Sequence, residues 1–483
     1  MLASIKYSYP LSYLVPNQDK SKQFINTRLP QNRAGKIAIN QAEGKAPNSV
    51  ELVYRWLKAL GVESWLVQTD PRIDKFPNLF PSIQLQLPIS LDNGHSSPHQ
   101  KLYQDASFSI EGDMHGSLPK TIAVLVLRGL LDIKNEVSFK QFTETYKAYH
   151  ENIHPFYPKF NKTLYDPQHN GRVESAKIRY ENFDFSAELK AAQAERLKQL
   201  FDLVEATFAP TDAPQKRIYF VGDEINDRDL ADPVLLKLFS LVRRTNPNAI
   251  QFAYSNHANR MQYFIDPQTG FFVTKEQLNQ WISKGGQHPI EVACLGAAGI
   301  LDLLLSTKQT AFLKAYYALL KEHFGHYKLL LLFNEPTFQG NALGIISHAP
   351  FSYQTQQEWG TSLGLDKLDS LQAKVKVINK FTKRLIKNLF RKSSKNTLKQ
   401  RRLVQKIVEE RRPGNEAFKN LGQIGAYLDS TIKAIFYGHT EGNNPNDVIK
   451  GVLAAGLNNG GCKNPLTLHD PNKPSGTHIS VIG

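Results

Sequence analysis

Hydrophobic residues recur along this chain in two distinct periods. Five short runs rich in Ile, Val, Phe, Tyr and Leu each end in a polar cluster: ASFSIEGDMHGS at 106–117, KRIYFVGDEINDRD at 216–229, NAIQFAYSNHANR at 248–260, ALGIISHAPF at 342–351 and KAIFYGHTEG at 433–442. Runs of this length and composition, closed by Gly, Asn, Asp and Ser, predict strands that enter loops. Between them the spacing turns helical. SVELVYRWLKALGVESWLV predicts a helix capped by Ser49, and SAELKAAQAERLKQLFDLVEATF at 186–208 predicts another. Further on, Leu371, Val375, Ile378, Phe381, Leu385 and Leu389 form one apolar stripe. After a break at RKSSKN, Leu398, Leu403, Ile407 and Val408 form a second, so 365–412 predicts an antiparallel helical hairpin that stops before Pro413-Gly414.

Short apolar runs thus alternate with helical patterns, and the fold expected is α+β with insertions. Residues 1–105 read as an N-terminal extension packing on the core, polar and irregular to about residue 48 and then proline-rich beyond the first helix. The core spans 106–364, with an insertion at 130–210 whose aromatic stretch YHENIHPFYPKFNKTLY suits the wall of a cleft. The hairpin follows at 365–412, the core resumes at 413–456, and 457–483 reads as a flexible C-terminal tail.

Composition supports one large core: 41% of the 483 residues are apolar and 21% charged. Two cysteines, Cys294 and Cys462, exclude a disulfide framework and fit a reducing compartment. Prolines and polar residues interrupt the N-terminus, so no signal peptide is expected, and the most apolar stretch, EVACLGAAGILDLLLSTKQTAFL, carries Asp302 and Lys308. These features predict a soluble protein. Charge changes the picture more. The net charge is +15, but 365–412 holds 16 Lys and Arg against 4 Asp and Glu, a net +12, and the rest of the chain carries only +3. An acidic protein or an anionic membrane surface would suit that hairpin, whereas the lack of interleaved aromatics argues against nucleic acid. Read as a docking arm, the hairpin should be removable without loss of catalysis; read plainly, it is a solvated charged element.

The polar run ends supply candidate chemistry. Asp113 and His115 stand two positions apart, so an extended strand turns both to one side. A carboxylate and an imidazole there make half a metal site. The other runs end in further carboxylates, a carboxamide and several imidazoles, an inventory of oxygen and nitrogen donors that suits Mn, Fe or Zn.

The order GDxHG, GD…DR, NH, SHA and GH resembles the phosphoprotein phosphatase family, a branch of the calcineurin-like metallophosphoesterases, from about residue 106 to 442. The resemblance implies a β-sandwich flanked by helices, with two divalent metal ions at one edge, Mn first and Fe or Zn as alternatives. It implies Asp113 and His115 as ligands of the first ion, Asp223 as the bridge, and Asn256, His348 and His439 as ligands of the second. His257 falls where the family has its general acid, Arg228 where it clamps the phosphate, and Asp227 beside it joins the catalytic set. The implied reaction is hydrolysis of a phosphomonoester by a metal-activated hydroxide. Arg228 stands five residues after Asp223 where the family spacing is four, which places Asn226 at the family's second Asp and implies a small bulge. Ala258 replaces the acid that orients the general-acid histidine, and Ser255 replaces the glycine before Asn256. GHTEG lacks the second histidine of the GHxH found in related diesterases and nucleases, which points to monoesters.

A metallophosphatase core with a basic helical hairpin resembles the Wip-type effector phosphatases that intracellular bacteria inject into host cells. That resemblance implies a phosphotyrosine phosphatase acting on phosphoproteins in a host cytoplasm. The alternatives are a Ser/Thr phosphatase of the same family, a nucleotide or dinucleoside-polyphosphate hydrolase, and a scaffold that binds through the hairpin with a vestigial metal site.

Overall fold

The computed structural model describes residues 6–10, 48–59, 65–69, 84–86, 108–112, 114, 116–153, 187–226, 229–283, 294–333, 343–349, 360–390, 404–405, 408, 432–437, 446–449, 452–456, 458–459, 477–478 and 480–482. The first half forms β1 (Lys6–Pro10), α1 (Ser49–Ala59), β2 (Trp65–Thr69), β3 (Gln84–Gln86), β4 (Phe108–Glu111), α2 (Leu118–Leu127), β5 (Leu131–Ile133), α3 (Glu136–Ile153), α4 (Ala187–Thr207), β6 (Phe208–Pro210), β7 (Arg217–Phe220) and α5 (Asp232–Thr245). Then come β8 (Ile250–Ala253), α6 (Asn256–Arg260), α7 (Lys275–Ser283), α8 (Leu295–Ser306), α9 (Thr310–Phe324), β9 (Tyr327–Lys328), β10 (Leu331–Phe333) and β11 (Leu343–Ser347). α10 (Leu371–Leu389), β12 (Ile432–Tyr437), β13 (Asn446–Ile449), β14 (Val452–Gly456), β15 (Asn458–Asn459), β16 (Thr477–His478) and β17 (Ser480–Ile482) complete the described chain.

Helix and strand are thus mixed, as the alternating periods imply. A six-stranded sheet runs β3-β17-β4-β7-β8-β9, and β4, β7, β8 and β9 are parallel to one another. A five-stranded sheet runs β10-β11-β12-β14-β13, with β11, β12 and β14 parallel. Parallel neighbours need a crossover, and α5 supplies the one from β7 to β8, its apolar residues Val234, Leu235, Leu238, Phe239 and Val242 buried. Ile218, Tyr219 and Phe220 in β7 are all buried, the pattern of a strand covered on both faces. Parallel strands leave a sheet at one edge, so the polar ends of β4, β7 and β8 emerge together. β11 and β12 repeat this, with Ser347 in register with Tyr437.

The insertion is closed at its base, because β5 pairs antiparallel with β6. Trp56 of α1 packs edge-on against Phe139, Phe142 and Tyr146 of α3, which fastens the N-terminal extension to the insertion. Most of the expected aromatic cleft wall, from residue 154 on, lies outside the described residues.

Four expectations need correction. The first helix starts at Ser49 rather than after it, since Asn48 Oδ1 accepts from Glu51 N at 2.9 Å, while Ser49 Oγ donates to Asp132 and accepts from Ile133 N. That helix also ends at Ala59, ahead of Gly61, and Trp65–Thr69 is a strand paired with Lys6–Pro10 in the region expected to be irregular. The expected loose tail contributes β17, which pairs with both β3 and β4 inside the larger sheet.

The fourth correction concerns the basic segment. Ser370 caps α10 by accepting from Ala373 N, and Leu371, Val375, Ile378, Leu385, Ile386 and Leu389 are buried in the common core. Asn379 accepts from Leu329 N and Leu330 N and donates to the Leu330 carbonyl, so the helix also satisfies the turn between β9 and β10. Of the expected second helix only Val404, Gln405 and Val408 are described, and both valines are buried. α10 is therefore a fixed part of the body rather than a detachable arm. Its solvent side carries exposed Lys376, Lys380, Lys383, Arg384 and Lys387, and the helix contains no acid.

Ile378→Ala should lower folding stability by about 2–5 kcal/mol in urea denaturation. Replacing Lys376, Lys380, Lys383 and Lys387 together with Gln should leave the unfolding midpoint close to that of the parent.

Candidate functional site

The loop after β7 carries the densest backbone strain in the described chain. Within nine residues, Gly222 (φ 124°), Asp223 (φ 54°), Asn226 (φ 60°) and Leu230 (φ 51°) all take positive φ. Asp and Asn tolerate the left-handed region, whereas a leucine there is costly and persists only when its surroundings dictate it. The dictation is visible. Val221 N donates to Glu111 O at the end of β4, Gly116 N donates to Asp223 O, and Tyr149 OH of α3 donates to Leu230 O at 2.7 Å. A side chain at Gly222 would lie 2.7 Å from both His348 Nδ1 and Ser255 Cβ. Glycine lets the ends of β7, β8 and β11 meet.

Asp223, Asn256 and His348 meet there. His348 Nε2 stands 2.8 Å from Asn256 Oδ1 and 3.4 Å from Asp223 Oδ1, and all three residues are buried. The other ring nitrogen, Nδ1, lies 3.0 Å from the Val221 carbonyl oxygen. A carbonyl only accepts, so Nδ1 holds a proton. A neutral ring then turns its Nε2 lone pair toward Asn256 and Asp223, an arrangement satisfied by an imidazolium, by a cation between the three groups, or by an Asn256 amide turned to present Nδ2. This is how metal-ligating histidines are held: one N–H is given to a backbone carbonyl and the other nitrogen is left as a donor atom. Carboxylate, carboxamide and imidazole are donors that Mn, Fe or Zn accept. Among the described residues no three His, Cys, Asp or Glu side chains group as a closed metal site; the third donor here is an amide.

His257 sits beside this cluster. Its Nδ1 lies 3.0 Å from the Asn226 carbonyl oxygen, which again fixes the proton on Nδ1, and its Nε2 is 3.6 Å from Asp223 Oδ2. Ser255 Oγ accepts from Ala258 N and caps the short helix that carries both Asn256 and His257. Sequence reasoning therefore brings Asp223, Asn256, His257 and His348 to one place. Asp113, His115, Asp227, Arg228 and His439 lie outside the described residues. Their described neighbours border the same cluster: Gly116 bonds to Asp223, Asn226 bonds to His257, and β12 ends at Tyr437 beside Ser347. Asn226 itself is left-handed, and the spacing to Arg228 lies outside the described residues.

Two acids that the sequence patterns did not single out support the loop. Asp229 Oδ2 accepts from Leu118 N at the start of α2 and from Tyr146 OH of α3. It caps a helix whose own preceding residue, Ser117, makes no side-chain cap. Glu224 points into the core, where its Oε1 accepts from Tyr327 OH and, at 2.8 Å, from His323 Nε2. Arg243 Nη2 lies 2.6 Å from His323 Nδ1 and must be the donor, so that ring is neutral with its proton on Nε2. Burial and the neighbouring Arg243 hold His323 well below the ordinary histidine value. Burial pushes the Glu224 carboxyl up to about 8, and its Oε2 has no partner among the described residues, as suits a neutral acid. Nothing in the strand patterns marks Glu224, because its partners come from α9 and β9 far along the chain.

No family model matches the chain, and no curated protein matches it.

Gly222→Ala should drive His348 from its place, and if the cluster holds a divalent ion, calorimetry should show its affinity fall roughly tenfold or more. For Glu224 the folded value lies above the ordinary 4.5, so its contribution to stability is complete below about pH 4.5 and shrinks as pH rises to about 8. Glu224→Gln should flatten that slope in metal-free chemical denaturation. Glu224→Ala should cost about 1–3 kcal/mol for each of the two donors it strands.

Proposed function

We propose that this protein is a divalent-metal-dependent phosphomonoesterase of the calcineurin-like kind, with phosphotyrosine in proteins as its first substrate. The observation that carries the reading is His348: its Nδ1 proton is committed to Val221, and its Nε2 faces the oxygens of Asp223 and Asn256. These three would hold one ion, with Asp223 shared by a second and Asp113, His115 and His439 completing the ligand sets. Bound divalent ions would lower the pKa of a water and offset charge on the phosphoryl oxygens. Arg228 would bind the phosphate and orient it. His257 would hold a proton at Nε2 and deliver it to the leaving oxygen. No buried thiol or serine nucleophile is called for.

The partner reading follows from α10. Lys376, Lys380, Lys383 and Lys387 recur at helical spacing over about 16 Å of one face, with Arg384 alongside. Among the described residues Val137 is the only large apolar side chain well exposed. An anionic lipid surface fits the basic face, at about 1 kcal/mol per cation near the bilayer.

After chelation, Mn²⁺ should restore hydrolysis of p-nitrophenyl phosphate and of phosphotyrosine peptides. Asp223→Asn and His348→Ala should abolish it, and His257→Ala should lower it roughly 10²–10⁴-fold. An inactive wild-type protein with Mn²⁺ bound would remove the phosphatase reading. Separately, the four-lysine Gln variant should lose salt-sensitive sedimentation with phosphatidylserine vesicles while keeping p-nitrophenyl phosphatase activity. Undiminished sedimentation of the variant would refute lipid docking by α10.

A further inference from the structure

Position 258, where the resemblance implies an acid that orients the general-acid histidine, is alanine, and position 226, where it implies the family's second aspartate, is asparagine. We infer that Asn226 is nevertheless the positioning residue for His257, and that it acts through its backbone carbonyl. The role given to His257 rests on the phosphatase reading above.

Every hydrogen-bonding group of Asn226 is engaged. Its N–H donates to Asp232 Oδ2 at 2.9 Å, and Asp232, at the start of α5, also accepts from Tyr316 OH of α9. Its Oδ1 accepts from Ala297 N at 2.7 Å, in the first turn of α8. The residue before that helix, Cys294, provides no side-chain cap, so Asn226 satisfies an amide that would otherwise be orphaned. Its Nδ2 donates to the His257 carbonyl at 3.1 Å, and its own carbonyl accepts from His257 Nδ1 at 3.0 Å. The side chain is fully buried.

Three elements thus hold one residue in a left-handed conformation, and that conformation turns its carbonyl toward the imidazole. The choice of asparagine follows from the bonds. An aspartate could accept from Ala297 N, but it has no proton to give the His257 carbonyl and would set two oxygens against each other. The amide both accepts and donates, and the backbone oxygen does the orienting. What the ring receives is a fixed tautomer and direction, with Nδ1–H locked and Nε2 turned toward the Asp223 side of the site.

The test uses Asn226→Gly, which permits the backbone angle and removes both side-chain anchors. A positioning role for a general acid predicts a loss that grows with the basicity of the leaving group. kcat on phenyl phosphate should fall roughly tenfold more than on p-nitrophenyl phosphate, with KM little changed, and His257→Ala should show the same pattern. The double variant should be no worse than His257→Ala alone. Equal losses on both substrates, or additive losses, would overturn the inference. A second readout needs neither turnover nor a variant: ring-nitrogen NMR of the metal-free wild type, with His257 assigned by its substitution, should show the Nδ1–H tautomer. A wild-type Nε2–H tautomer would overturn the inference. If the wild type hydrolyses neither ester, the phosphatase reading fails, and the tautomer still decides whether Asn226 sets the ring.

Discussion

A carbonyl oxygen can take a hydrogen bond and cannot give one. Two such oxygens, on Val221 and Asn226, settle which nitrogen of two buried histidines is protonated. Both rings then offer Nε2 to opposite oxygens of Asp223. The chemistry of the site descends from this asymmetry: without it, His348 and His257 would be ordinary buried imidazoles near an acid. Both carbonyls belong to the turn after β7, so one short stretch of backbone sets the Nε2 atoms of two imidazoles on either side of the carboxylate.

That stretch stays in place because everything around it is committed. Its entry is a parallel strand between two others. Gly222 admits His348 and Ser255 to near contact. Asp229 ties the far side to the start of α2, and Asn226 ties it to the starts of α5 and α8. Left-handed residues are expensive, and here the expense falls in a loop whose shape the helix ends and strand edges already require.

Much of this was legible in the sequence. The motif runs announce themselves because a strand and the polar residues after it are local, and parallel pairing brings the ends of β4, β7 and β8 to one edge, whereas the approach of His348 from the other sheet was not legible. The stripe from Leu371 to Leu389 was legible for the same reason, as a 3.6-residue period. What lay on the other side of that stripe was not, so α10 read as an arm although it is bedded in the core. Ser49 and Asn48 are both good caps, and only geometry separates them. The three-residue strand at 480–482 is too short to carry a period, and Glu224 has partners from distant elements. The Asn226 carbonyl beside His257 Nδ1 was hidden for a deeper reason: every residue has a carbonyl, so no letter marks the one that meets the ring.

The placement of β17 has a kinetic side. Ser480–Ile482 lies between strands drawn from the other end of the described chain, pairing with Gln84–Gln86 and with Ser109–Glu111. Contacts between such remote segments are slow to form, since the loop entropy is lost before the pairing is gained. Until they form, β4 presents a bare edge, and an unpaired edge is an invitation to aggregation during synthesis.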